Sequence, residues 1–312
     1  MHALSRPDVA EAIAASVSTH LGRPWTAGAL VDLGDRASHP CAILRGEGLD
    51  VFAKLSTAVD GAEQFDAEQR GLLHVQRHAG VLVPSPIGAG IVTAGDCAVL
   101  VLEALPEIAP AERGPAEWRV IGQALAQLHG VTGPSFGLDG PDAFDGFLGP
   151  LRQPNGPVAG GWASFLHERR IEPFRAAARA SSHLPPALDR RLDHLVARLD
   201  SVAGPEPVPS LLHGDAQQHN FVSTPGGAAL IDVSPYFGHP EVDLAMLGIF
   251  RPVPDDVLDG YRDVRPIAAD ATARIELWRL PAYLAVIAAD GANPFGRSFV
   301  PRLAAALTLS GA

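Results

Sequence analysis

The first hundred residues change hydrophobic period several times. Residues 8–21 place Val9, Ile13, Val17 and Leu21 on one helical stripe, with Asp8 in the N-cap position. Short apolar runs at Ala29–Leu33, Cys41–Arg45 and Val51–Leu55 predict strands. They are separated by Gly34-Asp35-Arg36-Ala37-Ser38 and by Gly46-Glu47-Gly48. A helix is expected from about Ala62 to Ala79. Pro84-Ser85-Pro86 breaks that pattern, and Ala98–Leu102 is a buried strand that ends at Glu103.

Beyond residue 104 the pattern turns helical. Residues 116–129, 162–180, 185–202, 241–250 and 270–288 have the spacing of helices, and Pro134–Gly160 has the composition of a long loop. Ser210–Asp232 holds two short apolar runs around the turn Thr224-Pro225-Gly226-Gly227. The expected class is α+β, with a small β-rich N-terminal lobe over 1–104 and a larger helical C-terminal lobe over 105–312.

Composition narrows the function classes. Of 312 residues, 47% are hydrophobic and 19% charged, which excludes a disordered chain. A formal net charge of −11 argues against nucleic acid and anionic membranes as partners and tolerates a cationic substrate. Only Cys41 and Cys97 are present, so no disulfide framework is expected. No signal peptide and no bilayer-length apolar run are visible, and a cytoplasmic location is the expectation. Of 24 basic residues, 23 are arginine, and the single lysine, Lys54, sits in Val51-Phe52-Ala53-Lys54-Leu55. A site that keeps the one ammonium in so arginine-rich a chain suits a compact point charge.

The densest cluster of reactive groups is Leu211-Leu212-His213-Gly214-Asp215-Ala216-Gln217-Gln218-His219-Asn220-Phe221, followed by Ala229-Leu230-Ile231-Asp232-Val233. Phosphoryl transfer needs one carboxylate to accept the hydroxyl proton. It also needs a second carboxylate and an amide oxygen for magnesium, and a lysine for the phosphates. Asp215 and Asn220 have the D-x-x-x-x-N spacing of kinases, and Asp232 follows an apolar run as the second metal-binding aspartate does there. Lys54 falls on a third candidate strand, and Glu68 on the next helix is placed to pair with it. Each element alone is common, but their order along the chain is that of a kinase. No G-x-G-x-x-G or G-x-x-x-x-G-K-[ST] signature occurs. The candidate nucleotide loop, Leu33–Pro40, offers Gly34, Ser38 and backbone N–H groups.

These residues resemble the aminoglycoside phosphotransferase and choline kinase superfamily. Several segments are similar to its fructosamine kinase branch: Tyr236-Phe237-Gly238-His239-Pro240-Glu241-Val242-Asp243-Leu244-Ala245-Met246, Asp145-Gly146-Phe147-Leu148-Gly149, Gln153-Pro154-Asn155, and Trp162-Ala163-Ser164-Phe165 with Glu168-Arg169-Arg170-Ile171. The resemblance implies a bilobal protein-kinase-like fold, ATP with Mg2+, and phosphorylation of a hydroxyl on a small amine-bearing sugar. It implies Asp215 as the base and Asn220 and Asp232 as metal ligands. Lys54 and Glu68 would be the phosphate pair, and Glu103–Leu105 the adenine hinge. Asp145, Trp162, Gln217 and His219 are the substrate candidates. The branch usually has Leu-Trp-Ser/Gly-Gly between the catalytic Asp and Asn. Here Ala216-Gln217-Gln218-His219 stands instead, so a stacking aromatic is missing and the acceptor is left open. Some members carry a redox-active cysteine in the nucleotide loop. Cys41 lies a few residues past that position, and the role is not carried over.

Three other readings compete. An antibiotic phosphotransferase would suit a polycation held by Glu168, Glu172, Asp139, Asp142 and Asp145. A metal-dependent hydrolase would use His213, Asp215, His219 and His239. A kinase-like module without activity would be free to lose Lys54, Asp215, Asn220 or Asp232, and none of the four is lost.

Overall fold

The computed structural model describes residues 2–34 and 39–311. Five antiparallel strands form one sheet in the order β1-β2-β3-β5-β4: β1 Ala27–Asp32, β2 Cys41–Gly46, β3 Leu49–Ser56, β4 Pro86–Ala94 and β5 Cys97–Glu103. β5 is buried along nearly its whole length, the physical counterpart of its unbroken apolar run. Helix α1, Pro7–Leu21, lays Val9, Ile13 and Val17 into a core shared with Val51, Ala53, Val99 and Val101.

Helix α2, Gly61–Ala79, crosses the opposite side. Its buried Phe65, Leu72 and Val75 join the large core, not the small one. Gly71 lets α2 approach the chain after Asp232, because a Cβ there would lie 2.9 Å from Val233 O.

The C-terminal region holds α3 Pro115–His129, the hairpin β6 Gly146–Leu148 and β7 Leu151–Gln153, and a rod of α4 Trp162–Phe165 and α5 Glu172–Ala180. A π-helical stretch, Leu166–Ile171, joins the two halves of that rod. Next come α6 Pro186–Val196, α7 Leu199–Val202, β8 Ser210–Leu212, β9 Phe221–Thr224, β10 Gly227–Leu230 and β11 Tyr236–Gly238. The chain ends in α8 Glu241–Met246, α9 Asp255–Val264, α10 Ile275–Asp290, α11 Pro294–Arg297 and α12 Phe299–Leu309. β8 pairs with β11 and β9 with β10, so both ends of the reactive cluster are pinned by short ladders.

Four details differ from the sequence reading. Asp8 is not the N-cap: Pro7 starts α1, and the Asp8 carboxylate turns to Arg6, 2.7 Å away. Pro86 opens strand β4 and does not merely break the chain. The segment 134–160 is not plain loop but folds β6 and β7 over the cleft. Helix 241–250 stops at Met246, while α9, α11 and α12 add helix where none was expected.

Candidate active site

A cleft of about 540 Å³ opens between the sheet and the helical region. It joins a narrower slot of about 150 Å³ through Lys54, Glu68, Asn220 and Asp232, which line both.

β3 delivers Lys54 and α2 delivers Glu68. Lys54, 6% exposed, donates to Glu68 Oε2 at 2.5 Å and to Asp232 Oδ1 at 2.7 Å. Burial works against its charge, but the two carboxylates more than offset this and hold the ammonium above its usual pKa. Burial likewise pushes Glu68 up. The Lys54 ammonium overrides burial at Asp232 and draws that carboxyl well below the usual range. Asp232 has φ +51°, a left-handed conformation that a non-glycine residue adopts at a cost. It turns the carboxylate toward the lysine with 43% of the side chain open to the cleft.

Asp215 sits on the loop after β8. Its Oδ2 accepts from Gln217 Nε2 at 3.0 Å and Asn220 Nδ2 at 2.9 Å. Its Oδ1 is buried with no hydrogen bond among the described residues. Burial, reinforced by the charge of Asp232, raises its pKa to about 7, near the working range of a general base. Asn220 Nδ2 also holds Asp215 O at 2.9 Å, so the amide nitrogen is turned to the protein and its oxygen is left for a cation.

Sequence reasoning missed the support beneath this loop. Asp243, fully buried at the start of α8, accepts from His213 N at 2.6 Å and Gly214 N at 3.2 Å. His129 Nε2 lies 3.0 Å from the same carboxylate and its Nδ1 2.9 Å from Tyr261 Oη. A carboxylate at the eighth position of the conspicuous segment Tyr236–Met246 was the available signal. Gly214 takes φ +82°, and a Cβ there would stand 1.9 Å from Ser234 O. His213 is buried, its Nε2 3.4 Å from Asn220 O, and burial lowers its pKa.

The narrow slot is walled by Leu33, Ile43 and Phe52 on one side and by Val222 and Ile231 on the other, with Glu103, Ala104 and Leu105 at its edge. The amides of Glu103 and Ala104 are tied to Ser85 O and Asp50 O, so this edge is rigid. Gly34 N is bound to Asp32 Oδ1, and Gly34 lines neither cavity, although its neighbour Leu33 does. Ser38 lies outside the described residues.

The substrate candidates divide. Gln217 and His219 line the cleft, and Arg251 donates to His219 Nε2 at 2.5 Å. Trp162 does not: it is 1% exposed and packs on Phe136, Phe165 and Trp278. Asp145 is also drawn away, bound to Arg152 and accepting from Asn155 N at 2.9 Å, where it braces the hairpin. The hydrolase reading fails on geometry, because the buried His239 ring packs tilted against Trp278, with centroids 4.9 Å apart, in the core. Among the described residues no three His, Cys, Asp or Glu side chains form a metal cage. The partial set Asn220–Asp232 instead suits an ion whose remaining ligands are phosphate oxygens and water.

The fructosamine kinase family model matches residues 9–307. The chain belongs to the fructosamine kinase family. It is 32% identical to "Probable ketoamine kinase YniA" of Escherichia coli, over 78% of this chain and 80% of that one. It is 32% identical to "Probable ketoamine kinase" of Klebsiella aerogenes, over 85% and 90%. A Thermobifida fusca crystal structure assigned to fructosamine-3-kinase superposes with a TM-score of 0.76 at 32% identity, covering 95% of this chain and 98% of that one. The aminoglycoside phosphotransferase APH(4)-Ia, at 17% identity and a TM-score of 0.58, shares the protein-kinase-like fold. As a fructosamine kinase family member, the chain is an ATP-using small-molecule kinase that transfers phosphate to a hydroxyl. No described helix is long and apolar enough to cross a membrane.

Proposed function

We propose that this chain phosphorylates a hydroxyl of a ketoamine, with Asp215 as the base. The observation that carries this reading is the meeting of Lys54, Asp232, Asn220 and Asp215 at the junction of the slot and the cleft. Adenine lies in the slot against Glu103–Leu105, between a lobe formed by residues 1–104 and one formed by 105–312, and the acceptor enters the cleft formed largely by 105–312. Lys54, held by Glu68, steadies the phosphates. Asn220 and Asp232 would hold Mg2+, which when bound neutralises charge on the phosphates. The Asn220 amide oxygen, the open Asp232 carboxylate and the unpartnered Asp215 Oδ1 fit such a group. Asp215 takes the hydroxyl proton, and alignment rather than covalent chemistry supplies the rate.

The antibiotic phosphotransferase reading loses its motivation. None of Glu168, Glu172, Asp139, Asp142 and Asp145 lines the cleft, and the wall opposite Asp215 is mainly apolar. A screen of ATP consumption by purified protein tests the choice. Turnover with sugar–amine adducts and none with aminoglycosides is expected. Turnover with aminoglycosides alone would overturn the reading.

A further inference from the structure

The acceptor end of the cleft is chemically divided. Near Asp215 it is polar, through Gln217 and His219. The far wall, built by α10, the chain after α8 and α11, is apolar and carries one charged group, Asp290.

Asp290 sits where helix electrostatics disfavour it. It is the last residue of α10, a sixteen-residue helix with no basic side chain in its final turn, so its charge adds to the negative pole of the helix. Asn293 Nδ2 donates to Oδ1 at 3.0 Å, and Oδ2 has no partner among the described residues. A cation is the natural complement of this spot, and no Lys or Arg lines the far wall.

Beside it stand Phe250 and Phe295. They are 41% and 51% exposed, their ring centroids are 6.1 Å apart, and both line the cleft. Two half-exposed phenyl rings in one cleft wall form an apolar surface open to a ligand. Their faces suit an aromatic or alkyl group, and also a neighbouring cation.

We propose that this far wall is a two-part subsite of the acceptor. Asp290 receives the ammonium of the ketoamine nitrogen, and Phe250 with Phe295 receives an apolar substituent on that nitrogen. The preferred acceptors are therefore sugar adducts of small hydrophobic amines. The inference rests on the ketoamine reading above and adds the class of amine.

The test compares 1-benzylamino-1-deoxyfructose with its neutral isostere, 1-O-benzylfructose, in which oxygen replaces nitrogen. The wild-type enzyme should prefer the amine. In Asp290→Asn the amine-to-ether ratio of kcat/KM should fall about 10–100-fold, mainly through KM, as expected for a lost charge-assisted contact. Asp290→Glu should restore much of it. Phe295→Ala should lower kcat/KM for the benzyl adduct about 10-fold more than for the methylamine adduct. A ratio unchanged in Asp290→Asn, with the amine still turned over, overturns the subsite alone. If the wild-type enzyme turns over no sugar–amine adduct, the ketoamine reading falls, and the subsite falls with it.

Discussion

Lys54 Nζ stands 2.7 Å from Asp232 Oδ1 across 178 residues of sequence. The same ammonium is 2.5 Å from Glu68 Oε2, and a phenyl ring, that of Phe65, lies 5.5 Å away. A planar guanidinium is bulkier than an ammonium, donates in a fixed fork and carries its charge farther from Cα. Lys54→Arg should therefore lower kcat by about 100-fold or more despite the retained charge, as alignment is lost. Steady-state kinetics with nucleotide titration checks this, and an unchanged rate would remove the role given to the lysine.

Asp215→Asn separates chemistry from stability. Turnover should vanish while nucleotide binding persists. The Asp215 pKa is raised to about 7 from an ordinary 3.8, so the folded state binds the extra proton. That contribution is fully present below the unfolded value and is lost as the pH rises through about 7. At pH 8 the buried carboxylate is thus a burden, and the amide variant should melt about 2–6 °C higher, with the gain shrinking by pH 5. Calorimetry at the two pH values decides it.

The same carboxyl sets the acid limb of the rate. Only its ionised form accepts the hydroxyl proton, so kcat/KM for the acceptor should rise with pH and level off above about 7. Cationic ligands beside it would move the limb lower, never higher. A profile that falls across pH 5–7 would contradict Asp215 as the base.

Asp243 should matter as much as the residues it supports. Its replacement by Ala leaves two backbone N–H groups and His129 without their partner in a fully buried site. A loss of about 3 kcal/mol or more is expected in denaturant unfolding, with a further fall in kcat for the fraction that folds.

Gly214→Ala should act through geometry alone. Its φ of +82° and the 1.9 Å approach to Ser234 O leave no space for a methyl group, so the loop must shift and carry Asp215 with it. A loss of about 100-fold in kcat with ATP affinity little changed is the expected outcome. Wild-type kinetics would show the loop to be more tolerant than its backbone suggests.

Much of this arrangement was legible in the chain. Lys54, Asp215 and Asp232 could be picked out because each is a costly group beside an apolar run, and such groups need partners; Asn220 followed from its spacing to Asp215, and Glu68 from its place on the helix after Lys54. What escaped notice depends on the third dimension. Trp162 and Asp145 lie in segments that resemble the family, yet packing turns one into the core and the other onto Arg152. Asp290 falls at a helix end, where a lone acid looks like solvated surface until Phe250 and Phe295 appear beside it. Helix α9 was hidden by Gly260 at its centre, and α11 and α12 by Pro294 and Pro301, which punctuate a sequence without stopping it from coiling.

The solitary lysine has a last consequence for the protein's own chemistry. A reducing sugar condenses with an amine only through a free lone pair, and Lys54, the only side-chain amine here, is kept protonated between two acids. All other side-chain positive charge is guanidinium or imidazolium. The fold therefore exposes no lysine side chain for glucose or its relatives to condense with, and the side-chain route to a ketoamine on this chain is closed.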